Sequence, residues 1–570
     1  MPTVLDRRID DGIAALTALG GQMPVVPVEL RGHSYPTIAV APPALTYYFA
    51  HFCNENADKT FLVAGDERLT FAEVYALAQQ TARALVDGCG VKQGDRVGIA
   101  MRNSPSWIAL YMGILMAGGI ATLLNGWWQT AELASAIADV ECKLVFVDAP
   151  RAQRLGEATG LGATVMAIDD RLPLAEALAP LFAQGGSAAT VLPMLRGDDD
   201  ATILFTSGST GQSKGALSDH RAVSQAVFNY LASALMMLGI STQDGNPVTV
   251  QHATLLNVPL FHVTAEVPVF LQSFAMGRKL VLMPKWDAEE AMRLIEREKI
   301  TYFVGVPLMS FEILTHPNRA NYDLSTVTDF AAGGAPRPVE HVRRLNEEMG
   351  GAAPLLGYGL TETNGVGCGN FRSNYLAKPN STGRASLPLV DLAILDGSGK
   401  PVVQGYLGEV AIRSICNFKE YWNRPDATRD AFTADGYFLT GDIGYLDEDG
   451  YLFIVDRKKD IIIRGGENIS CQEVEAALYE HPHVAEAAVF GLPDERFGEV
   501  PGAVVHIRPG EIVDAETLCD FLGGRIAAFK VPRRIWITEG PLPRLGTEKI
   551  DKVALRTAYR EIYASETTAA

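Results

Sequence analysis

From residue 70 onward, stretches with helical spacing of apolar residues alternate with short, nearly unbroken apolar runs. Thr70 precedes FAEVYALAQQTARALVDG, which reads as an N-capped amphipathic helix closing at Gly88, and a GD turn then leads into the strand-like RVGIAM. Trp107 to Ala117 repeats the helix, Ile120 to Leu124 repeats the strand, and LASAIADV leads into KLVFVD. Two further units follow, VSQAVFNYLASALMMLG before KLVLMP and AEEAMRLIEREK before ITYFVGVP. This alternation predicts a layered α/β body with mainly parallel sheets, and its length predicts more than one sheet.

Two changes of texture bound that body. Residues 1–40, rich in proline near their end, read as an irregular leader strapped onto it. Near residue 390 the pattern shifts to short strands and polar turns (VDLAILD, GEVAIRS, YLDEDGYLFIVD), which predicts antiparallel structure. DRKKD, residues 456–460, is a candidate boundary, followed by an isolated small pattern of EVEAALYEHP, AEAAVFGLP, AVVHIRP, ETLCDFLGGRIAAF and RRIWITEG. A chain of 570 residues exceeds what one hydrophobic core usually serves. The expected fold is α/β: a large N-terminal body of layered subdomains with a small antiparallel subdomain (residues 1–458), then a small α+β C-terminal domain (residues 459–570).

Composition narrows the partners. Apolar residues make up 48% of the chain, enough for a large core, and 49 basic against 67 acidic side chains give a formal net charge of −18. Such a global field disfavours nonspecific nucleic-acid binding and anionic membrane surfaces, although a local pocket can still hold a phosphate. The seven cysteines are scattered, with no CxxC pair and no metal-ligand spacing, and the N-terminus has no apolar signal core, so a reducing, cytoplasmic location is expected. The 18 uncharged residues from Tyr111 to Trp128 are broken by Gly113, Gly118, Gly119, Asn125 and Gly126. They read as a buried helix running into a core strand, not as a membrane span, and leave peripheral membrane contact open.

The strongest local signal is ATILFTSGSTGQSKG, residues 201–215. An apolar strand runs into a loop where glycines expose successive N–H groups, hydroxyls of Thr206, Ser207, Ser209 and Thr210 add donors, and Lys214 adds a charge, a combination suited to polyphosphate. The Walker A template fails, because residue 213 is serine where it needs glycine, and Gly215 follows the lysine.

TSGSTGQSKG resembles the phosphate loop of the acyl-adenylate-forming superfamily of AMP-binding enzymes. Further motifs of that family occur in its order: PLFH at 259–262, GGAPRP at 333–338, GYGLTET at 357–363, TGD at 440–442, DRKKD at 456–460, GENISCQEVE at 467–475 and PRLGTEK at 543–549. The motif wording is most similar to fatty-acid and other carboxylate–CoA ligases. The resemblance implies a two-step reaction with ATP, Mg²⁺ and coenzyme A: a carboxylate attacks the α-phosphate of ATP, pyrophosphate leaves, and a thiol intercepts the acyl adenylate. It also implies a mobile C-terminal domain turning about Lys459.

Residue by residue, the resemblance places Ser207, Gly208, Ser209, Thr210, Gly211, Lys214 and Gly215 around the phosphates. Glu362 and Thr206 are the implied Mg²⁺ ligands, and Thr361 a donor to the α-phosphate. Tyr358 with Gly359 would lie near the adenine, and Gly333, Gly334, Ala335 and Pro336 would line the nucleotide and acyl pockets. Asp442 would accept both ribose hydroxyls, with Arg457 as a second ribose or phosphate contact. His262 would stand at the acyl pocket, Gly465 and Gly466 along the pantetheine path, and Lys549 would bridge carboxylate and ATP in the first step. Three positions depart from the family's usual wording: Glu548 stands before Lys549 in place of glycine, Ser213 before Lys214 in place of proline, and Ala265 in place of a small glycine. A medium- or long-chain fatty acid is the first expected substrate. Aryl or alicyclic acids, a carrier protein as acceptor, and a non-catalytic nucleotide-binding regulator are the alternatives, and the expected state is homodimer or monomer.

Overall fold

Thr70 caps its helix reciprocally: its hydroxyl accepts from the N–H of Glu73 at 3.2 Å, while the Glu73 carboxylate accepts from the Thr70 N–H at 2.8 Å. The α-helix Phe71–Arg83 then runs on as a π-helical turn to Gly88. Every residue of the helix Pro105–Met116 is buried, and the chain passes from it into the core strand Ile120–Leu123, so the long uncharged stretch is interior as far as Gly126, with Trp127 exposed. The computed structural model describes residues 2–569 except 157, 159, 207–212, 335–336, 350, 466 and 545–549, with the side chains at 468 and 567–569 also outside the description.

The alternating units build two sheets. In the first, of seven strands, Asp200–Thr206, Ile120–Leu123, Arg96–Ala100, Leu144–Val147 and Thr164–Ala167 are parallel neighbours, and Lys214–Asp219 and Glu420–Tyr421 extend one edge antiparallel. In the second, of nine strands, Ala353–Tyr358, Asp329–Gly333, Tyr302–Gly305, Ala253–Leu256, Lys279–Leu282 and Thr60–Ala64 form the parallel centre, with antiparallel strands at both edges. A continuous apolar core joins their helices, including the long helix His220–Gln243. That helix is apolar and long enough to cross a membrane, but it is mostly buried inside the protein, and no other described helix meets that test.

Asp391–Leu395, Gly408–Arg413, Phe438–Leu446 and Leu452–Arg457 form the expected antiparallel sheet. Beyond it, Ile462–Arg464, Glu467–Ile469, Val484–Asp494, Gly498–Ile507 and Arg534–Thr538 make a separate five-stranded sheet with an apolar cluster on each face. Alternation along Val484–Asp494 explains this: Ala487 and Val489 enter one cluster, Ala488 and Phe490 the other.

The leader corrects the sequence reading. Residues 1–40 are not irregular: they form a capped helix, Val4–Thr17, and a hairpin of Val25–Leu30 with His33–Ile38. The carboxylate of Asp6 explains why the helix holds its place. It is 1% exposed and accepts from the Tyr451 hydroxyl at 2.8 Å and the Asn374 amide at 2.9 Å. Those partners are distant in sequence, but the helix start carries a local mark, the capping box of Thr3 with Asp6.

Candidate active site

The polar loop closes a hairpin. Thr206 ends one strand, Lys214 begins the next, and the two are direct partners in the ladder. Ser207, Gly208, Ser209, Thr210 and Gly211 lie outside the described residues. From this base the Lys214 ammonium stands 4.7 Å from the centre of the Tyr421 ring, a cation–π contact. The Tyr421 hydroxyl donates to Oε1 of Glu362 at 2.7 Å. Three side chains from a strand, an edge strand and a turn thus meet at one strand end.

The turn carrying Glu362 is fixed by its backbone. Thr361–Thr363 is a single 3₁₀ turn, and the carbonyl of Glu362 accepts from the Phe418 N–H at 2.7 Å. Gly359 is required sterically, since a Cβ there would lie 1.9 Å from the carbonyl oxygen of Gly365. Burial pushes the Glu362 pKa up, while the Tyr421 hydroxyl and the charges of Arg457 and Lys214 oppose that rise.

A second group gathers around Asp442, which is 3% exposed. Asp442 and Arg457 are opposed across neighbouring strands, and the Arg457 Nε lies 2.7 Å from Oδ1. Tyr358, the last residue of its strand in the nine-stranded sheet, donates its hydroxyl to Oδ2 at 2.6 Å. Burial and the Asp442 charge push the Tyr358 phenol well up, so it stays a donor. Both Asp442 oxygens therefore carry protein partners, and a ribose diol would have to share them.

The other candidates divide. Gly333 ends its strand opposite Gly357, and Gly334 follows at φ +77°. His262 caps a short helix, and its carbonyl accepts the N–H groups of Ala265 and Glu266 at 3.0 Å. Gly215 is tightly packed: a Cβ there would come within 2.9 Å of Ile203, and its carbonyl accepts from the Trp422 N–H at 2.8 Å. Gly465, at φ +59°, donates its N–H to the Phe497 carbonyl at 2.8 Å within the C-terminal sheet. Lys459 follows Arg457 in the turn between the antiparallel sheet and the C-terminal one, its pKa lowered by burial and by nearby cations such as Arg457 and Arg556. Ala335, Pro336, Gly466, Glu548 and Lys549 lie outside the described residues. Sequence reasoning missed Tyr421, whose two-residue strand pairs with Ala216 and Leu217 and packs on Phe418.

Among the described residues, no three histidine, cysteine or carboxylate side chains cluster as a metal cage. Mg²⁺ does not require such a cage, since one or two carboxylates commonly share the ion with substrate phosphates. A single buried carboxylate, Glu362, near the hydroxyl-bearing end of the Asp200–Thr206 strand is a donor set of that kind.

The two α/β sheets and the separate C-terminal sheet make a large module followed by a smaller one. The chain belongs to the AMP-binding enzyme family: the family profile matches residues 49–422, and that of the AMP-binding enzyme C-terminal domain matches residues 473–549. It is 35% identical over 499 residues to the long-chain-fatty-acid–CoA ligase FadD13 of Mycobacterium tuberculosis, covering 87% of this chain and 94% of that one. It is 32% identical over 495 residues to a feruloyl-CoA synthase of Amycolatopsis, covering 87% and 95%. ATP-bound MatB from Rhodopseudomonas palustris has a similar structure, with a TM-score of 0.78, 30% identity, and 91% and 99% coverage. The protein is an AMP-forming acyl-CoA synthetase, and the co-substrates of its family are ATP and coenzyme A, with Mg²⁺.

Proposed function

We propose that the acid it activates is a medium- or long-chain fatty acid. The reading is supported by the 35% identity to a ligase named for long-chain fatty acids and by the apolar surroundings of the helix His220–Gln243 beside the candidate cleft. Aryl acids are the second reading, favoured by the similarity to feruloyl-CoA synthase.

The observation that carries the mechanism is the convergence of Lys214, Tyr421 and Glu362 at the base of the loop. In this reading the substrate carboxylate oxygen forms a bond to the α-phosphorus of ATP, the bond to the pyrophosphate oxygen breaks, and the electron pair leaves with pyrophosphate. The CoA sulfur then attacks the acyl carbon, and AMP leaves with the electron pair of the broken C–O bond. Catalysis is positioning and charge neutralisation. Lys214 and the loop donors hold phosphate oxygens, and Thr361 donates to the α-phosphate. Glu362 and Thr206 would hold Mg²⁺, which supplies neutralising charge on the phosphates. Asp442 and Arg457 orient the ribose, Tyr358 the adenine, and Gly333 and Gly334 border the acyl end at His262. Lys549 acts from the C-terminal domain, which begins at 459 and turns about Lys459, and Gly465 flanks the pantetheine path. All seven cysteines are free, which supports work in a reducing compartment such as the cytoplasm; homodimer or monomer is the expected state.

The test is AMP production across straight-chain, aryl and alicyclic acids, with and without CoA. Straight-chain acids should give the highest kcat/KM, and sustained turnover should require CoA. CoA-independent AMP production with every accepted acid would reject the ligase reading, and a preference for aryl acids would select the second.

A further inference from the structure

The residues on either side of 545–549, the stretch that ends in Lys549, are tied to the C-terminal sheet. Arg544 and Ile550 face each other in an antiparallel bridge, and the Asp551 N–H donates to the Pro543 carbonyl at 2.7 Å. On the entering side the Glu486 carboxylate accepts from the Leu542 N–H at 2.6 Å and pairs with Arg544. On the leaving side Lys552, three residues past Lys549, opens the helix Lys552–Ala569.

The Lys552 ammonium lies 2.6 Å from one Glu475 oxygen and donates to the other at 2.8 Å. Glu475 is the last residue of ENISCQEVE, residues 467–475, and none of the roles above uses it. Its carboxylate also accepts from the Val489 N–H at 2.7 Å, so the sheet holds it as well as the lysine. The pair is largely shielded from water: the Glu475 side chain is 12% exposed and that of Lys552 29%. Ile550, Leu555 and Tyr559 seat this end of the chain in a cluster with Ala488, Phe490 and Trp536, but apolar contacts are non-directional. A lysine clamped between two carboxylate oxygens fixes the rotation of the helix start, and with it the point from which Lys549 departs.

The same helix face reaches the hinge. Arg556, one turn beyond Lys552, lies 3.7 Å from Asp460 in the turn that holds Lys459. Asp456 adds a second negative charge near Lys552. Its buried carboxylate accepts from the N–H groups of Cys471 and Gln472, at the start of the helix that carries Glu475. The pair is therefore referenced to the hinge turn from two directions, which is what a positioning device needs.

We propose that Glu475 and Lys552 are positioning residues for the adenylation step, their ion pair setting where Lys549 stands. The proposal rests on the role given to Lys549 above.

Two half-reactions of the full-length enzyme separate positioning from folding: acid-dependent ATP–pyrophosphate exchange, and thioester formation from supplied acyl adenylate and CoA. Glu475→Gln and, separately, Lys552→Met should lower the first about tenfold or more, through kcat and not through the KM for ATP, and leave the second within about twofold. In a Lys549→Ala background Glu475→Gln should cost nothing further, because its effect passes through the missing lysine. An equal fall in both half-reactions, or an undiminished loss in the Lys549→Ala background, would make the pair a structural support and overturn the proposal. If Lys549→Ala suppresses exchange and the pair variants keep the wild-type rate, the positioning assignment falls alone. If Lys549→Ala itself leaves exchange intact, the role given to Lys549 fails and takes this proposal with it.

Discussion

Two buried glutamate–tyrosine pairs in the large domain share one geometry and differ in everything around it. Tyr421 donates to Glu362 at 2.7 Å, and Tyr111 donates to Glu266 at 2.7 Å. Glu362 feels Lys214 and Arg457, whose charges favour its ionised form. Glu266 opens a π-helical turn one helical turn past His262, and Tyr111 is stacked on Trp107 at 5.4 Å. Only the Tyr111 hydroxyl offsets its burial, and the carboxyl is pushed up to about 7. Its Oε2 has no hydrogen-bond partner among the described residues. In both pairs burial raises the carboxyl and the phenol donor opposes the rise; at Glu362 the charges of Arg457 and Lys214 add to that opposition, and at Glu266 no cation among the described residues does.

Removing the cation should break that difference with the largest effect. Lys214→Ala takes away both the proposed phosphate ligand and a charge that lowers the Glu362 pKa. Acid-dependent ATP–pyrophosphate exchange should fall about a hundred- to a thousand-fold, as when a preorganised electrostatic contact is lost. Exchange within about twofold of wild type would show that Glu362 and the phosphates are served by other charges.

Tyr421→Phe is a finer cut, since it keeps the ring under Lys214 and deletes only the donor. The Tyr421 hydrogen bond lowers the Glu362 pKa, so its loss should raise that pKa and shift the acidic limb of the kcat/KM profile to higher pH. A deficit of about tenfold near pH 6 that shrinks above pH 8 is expected. A deficit equal at all pH values would mean that the hydroxyl positions the turn without tuning its charge.

The two pairs were unequally legible in the sequence. The turn of Glu362 lies in GYGLTET, where Gly359 is forced by the Gly365 carbonyl, so a local steric need leaves a local motif. The same holds for the capping box at Thr70 and the alternating core runs. Tyr421 carries no such mark, because a two-residue edge strand exists only through its pairing partners. Asp6 meets Tyr451 across 445 positions, so the docking of the leader leaves no local mark, whereas its helix start does, in the capping box of Thr3 with Asp6. Glu266 sits in an apolar run, and its partner Tyr111 comes from the helix of another sheet layer, 155 residues away. Composition could say that Glu266 was out of place there, but not what would meet it.

The smallest expected effect is on stability, and it isolates the cation-free pair. A carboxyl whose pKa rises from about 4.5 unfolded to about 7 folded binds its proton more tightly in the native state. Its contribution to stability is complete below about pH 4.5 and is lost as pH climbs through 7, by about 3 kcal/mol if the shift is fully expressed. Glu266→Gln keeps the shape and the acceptor for Tyr111 but cannot ionise. Wild type and variant should therefore unfold at similar urea concentrations at pH 5, and the variant should be the more stable at pH 8. Other groups titrate in this range, such as buried His220, held down to about 4, but they are common to both proteins and cancel in the difference. A stability gap that is the same at both pH values would show that Glu266 stays in one charge state throughout, and that aromatic surroundings alone do not separate it from Glu362.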